Sequence, residues 1–300
     1  MIHGYSYKPS PIFFRSEEER ANSRDRFFGV ELEMVFPDSI TLENFDIQIQ
    51  NEGLADRIYL KRDGSLGSYG VEVVSYPMTL IEHNNYHWER ILAIASGLGA
   101  KSHDDVRCGM HVHINRTCLR PTDIKKMMAF TDVSFEKLYP YSRRTSRSAV
   151  RRFCPPSNIT NYSGAEFDEF EREIESRKRV LNREFKNNNM KEHRGERYRA
   201  LNITNKHTVE FRFAQGTLRY ESFMAFIELV DKIASWAKCQ NFENLLQGNF
   251  NDFLKHSFDR HGLYIYLAQY MADRMVRNNL VDDVRTVQGT KFAEKIGMNI

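Results

Sequence analysis

The stretch RFFGVELEMVF, from Arg26 to Phe36, decides the fold predicted for this chain. Apolar side chains recur at every second position, and the residues between them are Gly29, Glu31 and Glu33. This alternation predicts a strand with one apolar face and one face that carries two carboxylates. The roots of the two glutamate side chains would lie about 6–7 Å apart, a spacing that suits ligands of two neighbouring hard cations. The alternative is an ordinary strand with a solvated face, although glutamate is depleted in strands.

The composition is typical of a globular protein. The chain has 300 residues, 41% of them hydrophobic, which is enough for a sizeable core, and its 21 Phe and 14 Tyr argue against disorder. A net charge of +3 is compatible with anionic substrates such as nucleotides but does not require nucleic acid. The four cysteines form no CxxC pair, which favours free thiols. Because neither a signal peptide nor an apolar run of about 18 residues is found, we expect a soluble, cytoplasmic protein.

Strand and helix patterns alternate along the chain. After the opening strand, strands are predicted at 57–62, 69–76, 108–116 and in a hairpin within 197–217. Helical periodicity is found at 81–95, 121–138, 222–238 and within 241–280. Because neighbouring strands are closely connected, this order predicts an α+β fold, with one antiparallel sheet and helices packed on its apolar face.

The domain organisation expected from these patterns is simple. One catalytic domain would span residues 26–280, after an extended N-terminal arm at 1–25. A variable, highly charged insertion would occupy about 143–196, and a polar tail would follow at 281–300.

Polar residues of the later strands repeat the pattern of the first. By alternation, a single face would carry Glu72, His111, His113, Glu210 and Arg212. If the apolar faces of all the strands pack on the same helices, these groups converge with the two glutamates of the first strand. A solvated face would normally include Lys, Thr and Ser. This set is instead rich in metal-ligand types, with an arginine suited to a carboxylate or phosphate.

The residue types narrow the metal and the substrate. Several carboxylates with one imidazole suit Mg²⁺ or Mn²⁺ and not a structural zinc site. Together with the arginine and the small turn Asp63-Gly64-Ser65, they fit the handling of a nucleoside triphosphate. Neither a Walker A motif nor GxGxxG is present, so metal and arginine would hold the phosphates. Asp63 would then be either a turn residue or a neighbour of the metal site.

Five blocks in this order resemble the putative amidoligase family, which belongs to the carboxylate–amine ligase superfamily of glutamine synthetase and glutamate–cysteine ligase. The resemblance covers about residues 26–240, and the blocks are GVELE (29–33), DGS (63–65), GVEVVSYP (70–77), GMHVHINR (109–116) and TVEFRFAQGT (208–217). It implies a curved antiparallel sheet with helices on its convex face, and a concave face that binds ATP and two or more Mg²⁺ ions. The separate N-terminal domain of glutamine synthetase has no counterpart here, so the chain is not expected to be glutamine synthetase itself. Compact members of this kind are often bacterial or phage proteins.

The resemblance also implies roles for the metal ligands. Glu31 and Glu33 would each serve a different metal, and Glu72 would share the site of one of them. His111 would be the imidazole ligand, and Glu210 a further ligand.

The same resemblance places other residues near the phosphates. His113 would lie closer to them than His111, and Arg212 would stabilise the transferring phosphoryl group or an acyl phosphate. Apart from the resemblance, Arg197 and Arg199 alternate on a strand expected to neighbour Glu210, so either could reach the site. We assign Arg197 to catalysis and Arg199 to ATP binding. Ser65 is assigned to ATP binding as well.

An arginine-rich segment, YSRRTSRSAVRR, spans residues 141–152. It could be a phosphate-binding lid, a nucleic-acid patch or a solvated turn. Because Arg143, Arg147 and Arg151 recur every four residues, they would share one face of a helix. We assign Arg147 and Arg151 to ATP binding.

The function expected is an ATP- and Mg²⁺-dependent ligase that joins a carboxylate to an amine or ammonia through an acyl phosphate. One alternative is a metal-dependent hydrolase that uses His111 and His113 around Zn²⁺ or Mn²⁺. Another is a non-enzymatic protein that binds nucleic acid through the arginine-rich segment. The sequence leaves open the identity of the acid and the amine, and the oligomeric state.

Overall fold

The strand predicted from the opening stretch lies in the middle of a seven-stranded sheet. The computed structural model describes residues 1–19, 25–156 and 197–298. Within them the strand order is β1-β3-β4-β2-β5-β7-β6. The strands are β1 (Ile2–His3), β2 (Phe28–Val35), β3 (Ile58–Lys61), β4 (Gly70–Ser75), β5 (Gly109–Asn115), β6 (Leu201–Asn202) and β7 (Thr208–Gln215).

The pairing register brings the polar residues of the strands side by side. Between β2 and its two antiparallel neighbours, Glu33 lies opposite Glu72 of β4, and Glu31 lies opposite His111 of β5. On the far side of β5, His113 lies opposite Glu210 of β7. Since directly opposed residues share a face of the sheet, one face collects all these groups.

Helices pack against the opposite, apolar face of the sheet and against one another. The helices are α1 (Ser39–Asn51), α2 (Leu80–Asn85), α3 (Trp88–Gly97), α4 (Pro121–Val133), α5 (Phe135–Leu138), α6 (Arg147–Phe153), α7 (Tyr220–Cys239), α8 (Phe242–Leu246), α9 (Phe250–Asp259), α10 (Ile265–Arg277), α11 (Val281–Val287) and α12 (Lys291–Lys295). The apolar side chains of the central strands, including Val30, Leu32 and Val112, are completely buried. The mixed α and β character predicted from the sequence is therefore confirmed.

Helix α7 is the central support of this layer. It contacts β5 and the helices α2, α3, α4 and α10, and most of its side chains are buried on every side. A helix that is buried around most of its circumference is part of a core. Its buried polar residues have partners: Glu228 accepts a 2.6 Å hydrogen bond from the backbone N–H of Leu267 in α10, and Lys232 contacts His256.

Two features of the predicted fold are wrong at the ends of the chain. The sheet was expected to be wholly antiparallel, but Ile2–His3 of the N-terminal arm forms an edge strand that pairs in parallel with β3. The expected polar tail after residue 280 instead forms α11 and α12. Their apolar residues Val287 and Phe292 are buried, which stabilises two helices too short to persist alone.

Two predicted elements differ in length. The single helix expected at 81–95 is two helices, α2 and α3, because the chain extends at Tyr86, whose buried hydroxyl donates to the carbonyl of Leu54. The predicted hairpin is present, but its first strand is only Leu201–Asn202.

Of the predicted charged insertion, residues 157–196 lie outside the described part of the chain. Among the helices described, none has the length and apolarity needed to cross a bilayer.

Candidate active site

The polar face of the sheet is buried, not solvated. Glu33, Glu72 and Glu210 are only 6%, 4% and 3% exposed. Carboxylates are rarely buried to this degree unless cations or hydrogen-bond donors accompany them. The sequence alternative of an ordinary solvated strand face is therefore excluded by the structure.

One group of possible metal ligands joins β2, β5 and β7. Ligand atoms of Glu31, His113 and Glu210 all lie within 4.8 Å of one another. Nε2 of His113 is 3.5 Å from Oε1 of Glu31 and 4.0 Å from Oε1 of Glu210. On the other side of the ring, Nδ1 lies 3.1 Å from the hydroxyl of Thr208. A ring held through one nitrogen, with the other facing two carboxylates, is the usual arrangement of a metal-binding histidine.

His111 lies beside the carboxylates of the same group. Its Nδ1 is 3.4 Å from Oε2 of Glu31 and 3.6 Å from Oε1 of Glu210. The side chain that completes the three-ligand group is nevertheless His113, which the resemblance placed nearer the phosphates. The register explains this arrangement, because His113 is directly opposite Glu210.

A second group lies on the other side of β2. Oxygen atoms of Glu33, Asp63 and Glu72 lie within 4.8 Å of one another. Asp63 is brought there by the turn that follows β3, where its carboxylate accepts a 2.6 Å hydrogen bond from the backbone N–H of Ser65. Asp63 is thus both a turn residue and a member of the group. Since Glu31 and Glu33 are two residues apart on β2, the two groups are neighbours.

Hydrogen bonds from the β6–β7 hairpin fix the carboxylate of Glu210. The side-chain amides of Asn202 and Asn205 donate to its Oε2 at 2.8 and 3.0 Å. The guanidinium of Arg212 contacts its Oε1. A carboxylate with three donors is held in one orientation, so Glu210 is preorganised.

Positive side chains near the two groups are fewer than the carboxylates. The Nζ of Lys61 is 2.7 Å from Oε2 of Glu72, and Arg212 pairs with Glu210. The buried guanidinium of Arg144 lies beside Glu33 and adds a third positive charge. Five carboxyl groups therefore face three permanent cations, and bound cations would stabilise the ionised forms of these carboxyl groups.

The pKa values reflect this crowding. Burial raises the pKa of Glu72 to about 9, and the charge of Glu31 adds to the effect. Burial also raises the pKa of Glu33. For Glu31 and Glu210, burial alone would raise the pKa, but nearby positive groups outweigh it. His111 and His113 lower the pKa of Glu31 well below its ordinary value, and His113 with Arg212 lowers that of Glu210.

Gly109 allows the close approach of three side chains. Its backbone N–H donates to Oε2 of Glu33 at 2.5 Å. A Cβ atom at this position would lie 2.9 Å from Nη2 of Arg144 and 3.0 Å from Nε2 of His111. Only glycine leaves this space open, which gives the first residue of GMHVHINR a direct role at the site.

Two cationic residues of the site were missed by sequence reasoning. Lys61 faces Glu72 across the β3–β4 pair, and alternation along β3 could have placed it on the polar face. Arg144 was noted only as part of the arginine-rich segment, and it reaches the sheet because it follows Arg143, whose backbone is left-handed. No local pattern predicts such a turn at arginine.

Four arginines expected to bind ATP or assist catalysis have other surroundings. Arg147 pairs with Glu136 at 2.9 Å and stacks over Tyr139, while Arg199 donates to the carbonyl of Pro156. Arg151 and Arg197 are exposed. Within the described ranges, no hydrogen bond or ion pair joins any of these four to the carboxylate groups. Ser65 contributes its backbone N–H to Asp63, and its side chain is exposed.

Comparison with known proteins gives one family. No curated protein matches the chain. The sequence model of the family described as "putative amidoligase enzyme" matches residues 54–234, which is more than half of the chain. The match includes Glu72, both histidines of the site and Glu210, whereas the glutamates of β2 lie before it. The chain belongs to this amidoligase family, whose description is that of enzymes that form amide bonds.

Proposed function

We propose that the protein is an ATP- and Mg²⁺-dependent ligase that joins a carboxylate to an amine through an acyl phosphate. The observation that carries the proposal is the pair of adjacent ligand groups on one buried sheet face, with two buried arginines beside them. The family description supplies the amide-forming chemistry. A site with two neighbouring groups of ligands for hard cations is suited to the phosphates of a nucleotide.

The side chains present fit Mg²⁺ or Mn²⁺. The second group offers only carboxylate oxygens, and the first adds one imidazole, whose Nε2 is buried without a hydrogen bond inside the described segments. No cysteine belongs to either group, which disfavours a structural zinc site. When bound, the ions would neutralise charge on the β- and γ-phosphates of ATP.

Two arginines are available for the phosphoryl group. Arg144 and Arg212 are both more than nine-tenths buried, and the Nε–H of each has no hydrogen-bond partner among the residues described. A buried guanidinium with a free donor suits a phosphate oxygen. We assign these two side chains to the transferring phosphoryl group. Arg147 and Arg151 would have to leave their present surroundings to reach it.

The proposed reaction has two steps. A carboxylate oxygen of the acid attacks the γ-phosphorus of ATP, the bond to the β–γ bridging oxygen breaks, and ADP leaves. The nitrogen of the amine then attacks the acyl carbon, phosphate leaves, and the nitrogen loses a proton. Arg212 and Arg144 would stabilise the charge on the phosphoryl oxygens in the first step.

Hydroxylamine provides a test that does not require the natural amine. With ATP, Mg²⁺ and a panel of carboxylic acids, an acyl phosphate would be trapped as a hydroxamate, with one ADP released per hydroxamate. We expect Glu31→Gln and Glu210→Gln to abolish both products and an exposed control, Glu43→Gln, to retain them. Ammonia, amino acids and polyamines would then be tested as amines. If no acid yields ADP, and Glu31→Ala and Glu210→Ala leave ATP binding unchanged, the proposal is wrong.

A metal-dependent hydrolase is the second candidate, favoured by the one imidazole in the first group. Glu31, His113 and Glu210 form a three-ligand set of the kind found in catalytic metal sites. This reading predicts tightly held Zn²⁺ or Mn²⁺ at one ion per chain and hydrolysis of amides without nucleotide. Metal analysis of the purified protein, with amide hydrolysis measured without ATP, separates the two candidates.

A further inference from the structure

A second cleft, of about 340 Å³, shares no residue with the two ligand groups. Its walls are the turn at Arg143, the first turn of α7, and the helices α10 and α12. The volume is within the range of sites for small molecules. The cleft is therefore large enough to hold a ligand of its own.

The charge of this cleft is strongly positive. Five basic side chains line it, against two acidic ones. The basic residues are Arg143, Arg219, Arg274, Arg277 and Lys295. One of the two acids, Glu221, already pairs with Arg219 at 3.2 Å. The other acid is Asp273. The excess positive charge is drawn from four separate parts of the chain, so it is a product of the fold and not of a basic sequence run.

Arg143 is the most constrained of these residues. Its backbone has φ 61°, a left-handed conformation that non-glycine residues rarely adopt. Its Nη1 donates to the hydroxyls of Thr217 and Ser222 at 3.2 and 3.4 Å, and no ion pair within the described ranges neutralises it. Burial lowers the pKa of Arg143, and the charges of neighbouring arginines lower it further. A half-buried guanidinium without an ion-pair partner, among further cations, is stabilised by a bound anion.

Most of the remaining lining is apolar or aromatic, and its polar members are Ser222 and Gln269. Tyr266, Tyr270 and Phe292 line the cleft, and Ile265 and Ile296 lie at its edge, each more than one-third exposed. Aromatic walls bind flat apolar groups, and arginine forks bind phosphate. The first turn of α7 lies on the same wall, where the dipole of a long helix favours negative charge. The lining thus suits a molecule that combines a phosphate with a flat apolar group.

We propose that this cleft binds a small organic phosphate, with the phosphate against the arginines and a flat apolar portion against the aromatic side chains. The site is independent of the ligase reaction proposed above. Consecutive residues nevertheless join the two places, because Arg143 lines the cleft and Arg144 lies beside Glu33.

Isothermal titration of the full chain with phenyl phosphate tests the proposal, with EDTA present so that no metal-bound phosphate is measured. Inorganic phosphate and phenol are the partial probes. We expect phenyl phosphate to bind at one per chain and more tightly than either. The double variant Arg277→Gln/Lys295→Gln should weaken its binding at least about tenfold. Both positions are on the surface and have no ion pair in the described parts of the chain, so the variant should fold.

Two controls make the result specific. Arg285→Gln changes a surface arginine of α11 outside the cleft and should leave binding unchanged, and so should Glu31→Gln in the candidate active site. The proposal is overturned if phenyl phosphate does not bind. It is also overturned if Arg285→Gln weakens binding as much as the double variant, which would indicate general charge attraction. Loss of binding only in Glu31→Gln would place the probe at the carboxylate groups and overturn it too.

Discussion

Nδ1 of the His113 ring lies 3.1 Å from the hydroxyl of Thr208, its neighbour on the adjacent strand. The contact fixes the ring so that Nε2 faces the carboxylates of Glu31 and Glu210. Under the proposed function, Thr208 therefore acts through His113, as a positioning residue for a candidate metal ligand.

Replacing Thr208 with valine should weaken metal binding without unfolding the protein. The ring of His113 would lose the partner that holds its orientation, and such losses cost about 10- to 100-fold in metal affinity. Titration with Mn²⁺ measures the change, and Thr208→Ser is the matched control because it keeps the hydroxyl. Equal affinity in the valine and serine variants would remove Thr208 from the site.

The two ligand groups should bind separate ions. We expect two Mn²⁺ per chain in the unaltered protein, and loss of a different one in Glu210→Gln and in Glu33→Gln, because each variant removes a ligand from only one group. Counting bound Mn²⁺ by equilibrium dialysis gives the stoichiometry. The double variant should bind none. If a single ion is bound and both variants remove it, the groups form one site.

Gly109→Ala should reduce ligase activity about 100-fold, since displacement of catalytic groups by about 1 Å has effects of this size. The added Cβ would push Arg144 and His111 from their positions. The control is Gly97→Ala at the end of α3, where a Cβ meets no atom within 4 Å. Circular dichroism would establish that both variants fold, and hydroxamate formation would measure activity. Full activity in Gly109→Ala would show that Arg144 is not needed in its present place.

Arg212→Lys should lower the rate of phosphoryl transfer roughly 100- to 1000-fold, with a smaller effect on ATP binding. The planar guanidinium of Arg212 contacts Glu210 through one nitrogen, and its Nε–H has no partner among the described residues. Lysine keeps the charge but has no such planar group. Single-turnover release of ADP separates the rate from binding. An unchanged rate would assign Arg212 to holding Glu210 and not to the phosphoryl group.

Acid should destabilise the protein through His83, which is completely buried in α2. Its Nε2 lies 2.9 Å from the carbonyl of Phe28 and its Nδ1 accepts from the indole of Trp88, so the ring is held neutral. Burial lowers its pKa from 6.5 to about 4. As the pH falls from 6.5 to 4, the unfolded chain gains a proton that the folded chain does not. The free energy of unfolding should therefore fall by up to about 3 kcal/mol.

Urea denaturation at a series of pH values measures this loss. His83→Gln should be less stable at pH 7 and should show a smaller loss between pH 6.5 and 4. His103→Gln, at an exposed histidine, should behave like the unaltered protein. An identical pH dependence in His83→Gln would assign the acid sensitivity to other groups.

Much of the site could be predicted because strands have a period of two. Alternation alone placed Glu31 and Glu33 on one face, and the same reasoning placed Glu72, His113 and Glu210 on a common surface. Apolar alternation also identified the buried residues of β2 and β5 correctly. These predictions succeeded because they depend only on neighbours within one strand.

The errors involve contacts between distant segments. The edge pairing of Ile2–His3 with β3 leaves no mark in the local sequence, since two residues show no period. The basic cleft likewise combines Arg143 with side chains of α7, α10 and α12. Its members could not be grouped before the helices were placed.

The sequence by itself determined which residues of each strand are polar, and so which residues could be ligands. Only the tertiary structure decided their partners. The register between strands sets Glu33 opposite Glu72 and His113 opposite Glu210, which divides one row of carboxylates into two groups. Alternation fixes the face of a side chain, but its neighbours across the sheet depend on how the strands pair.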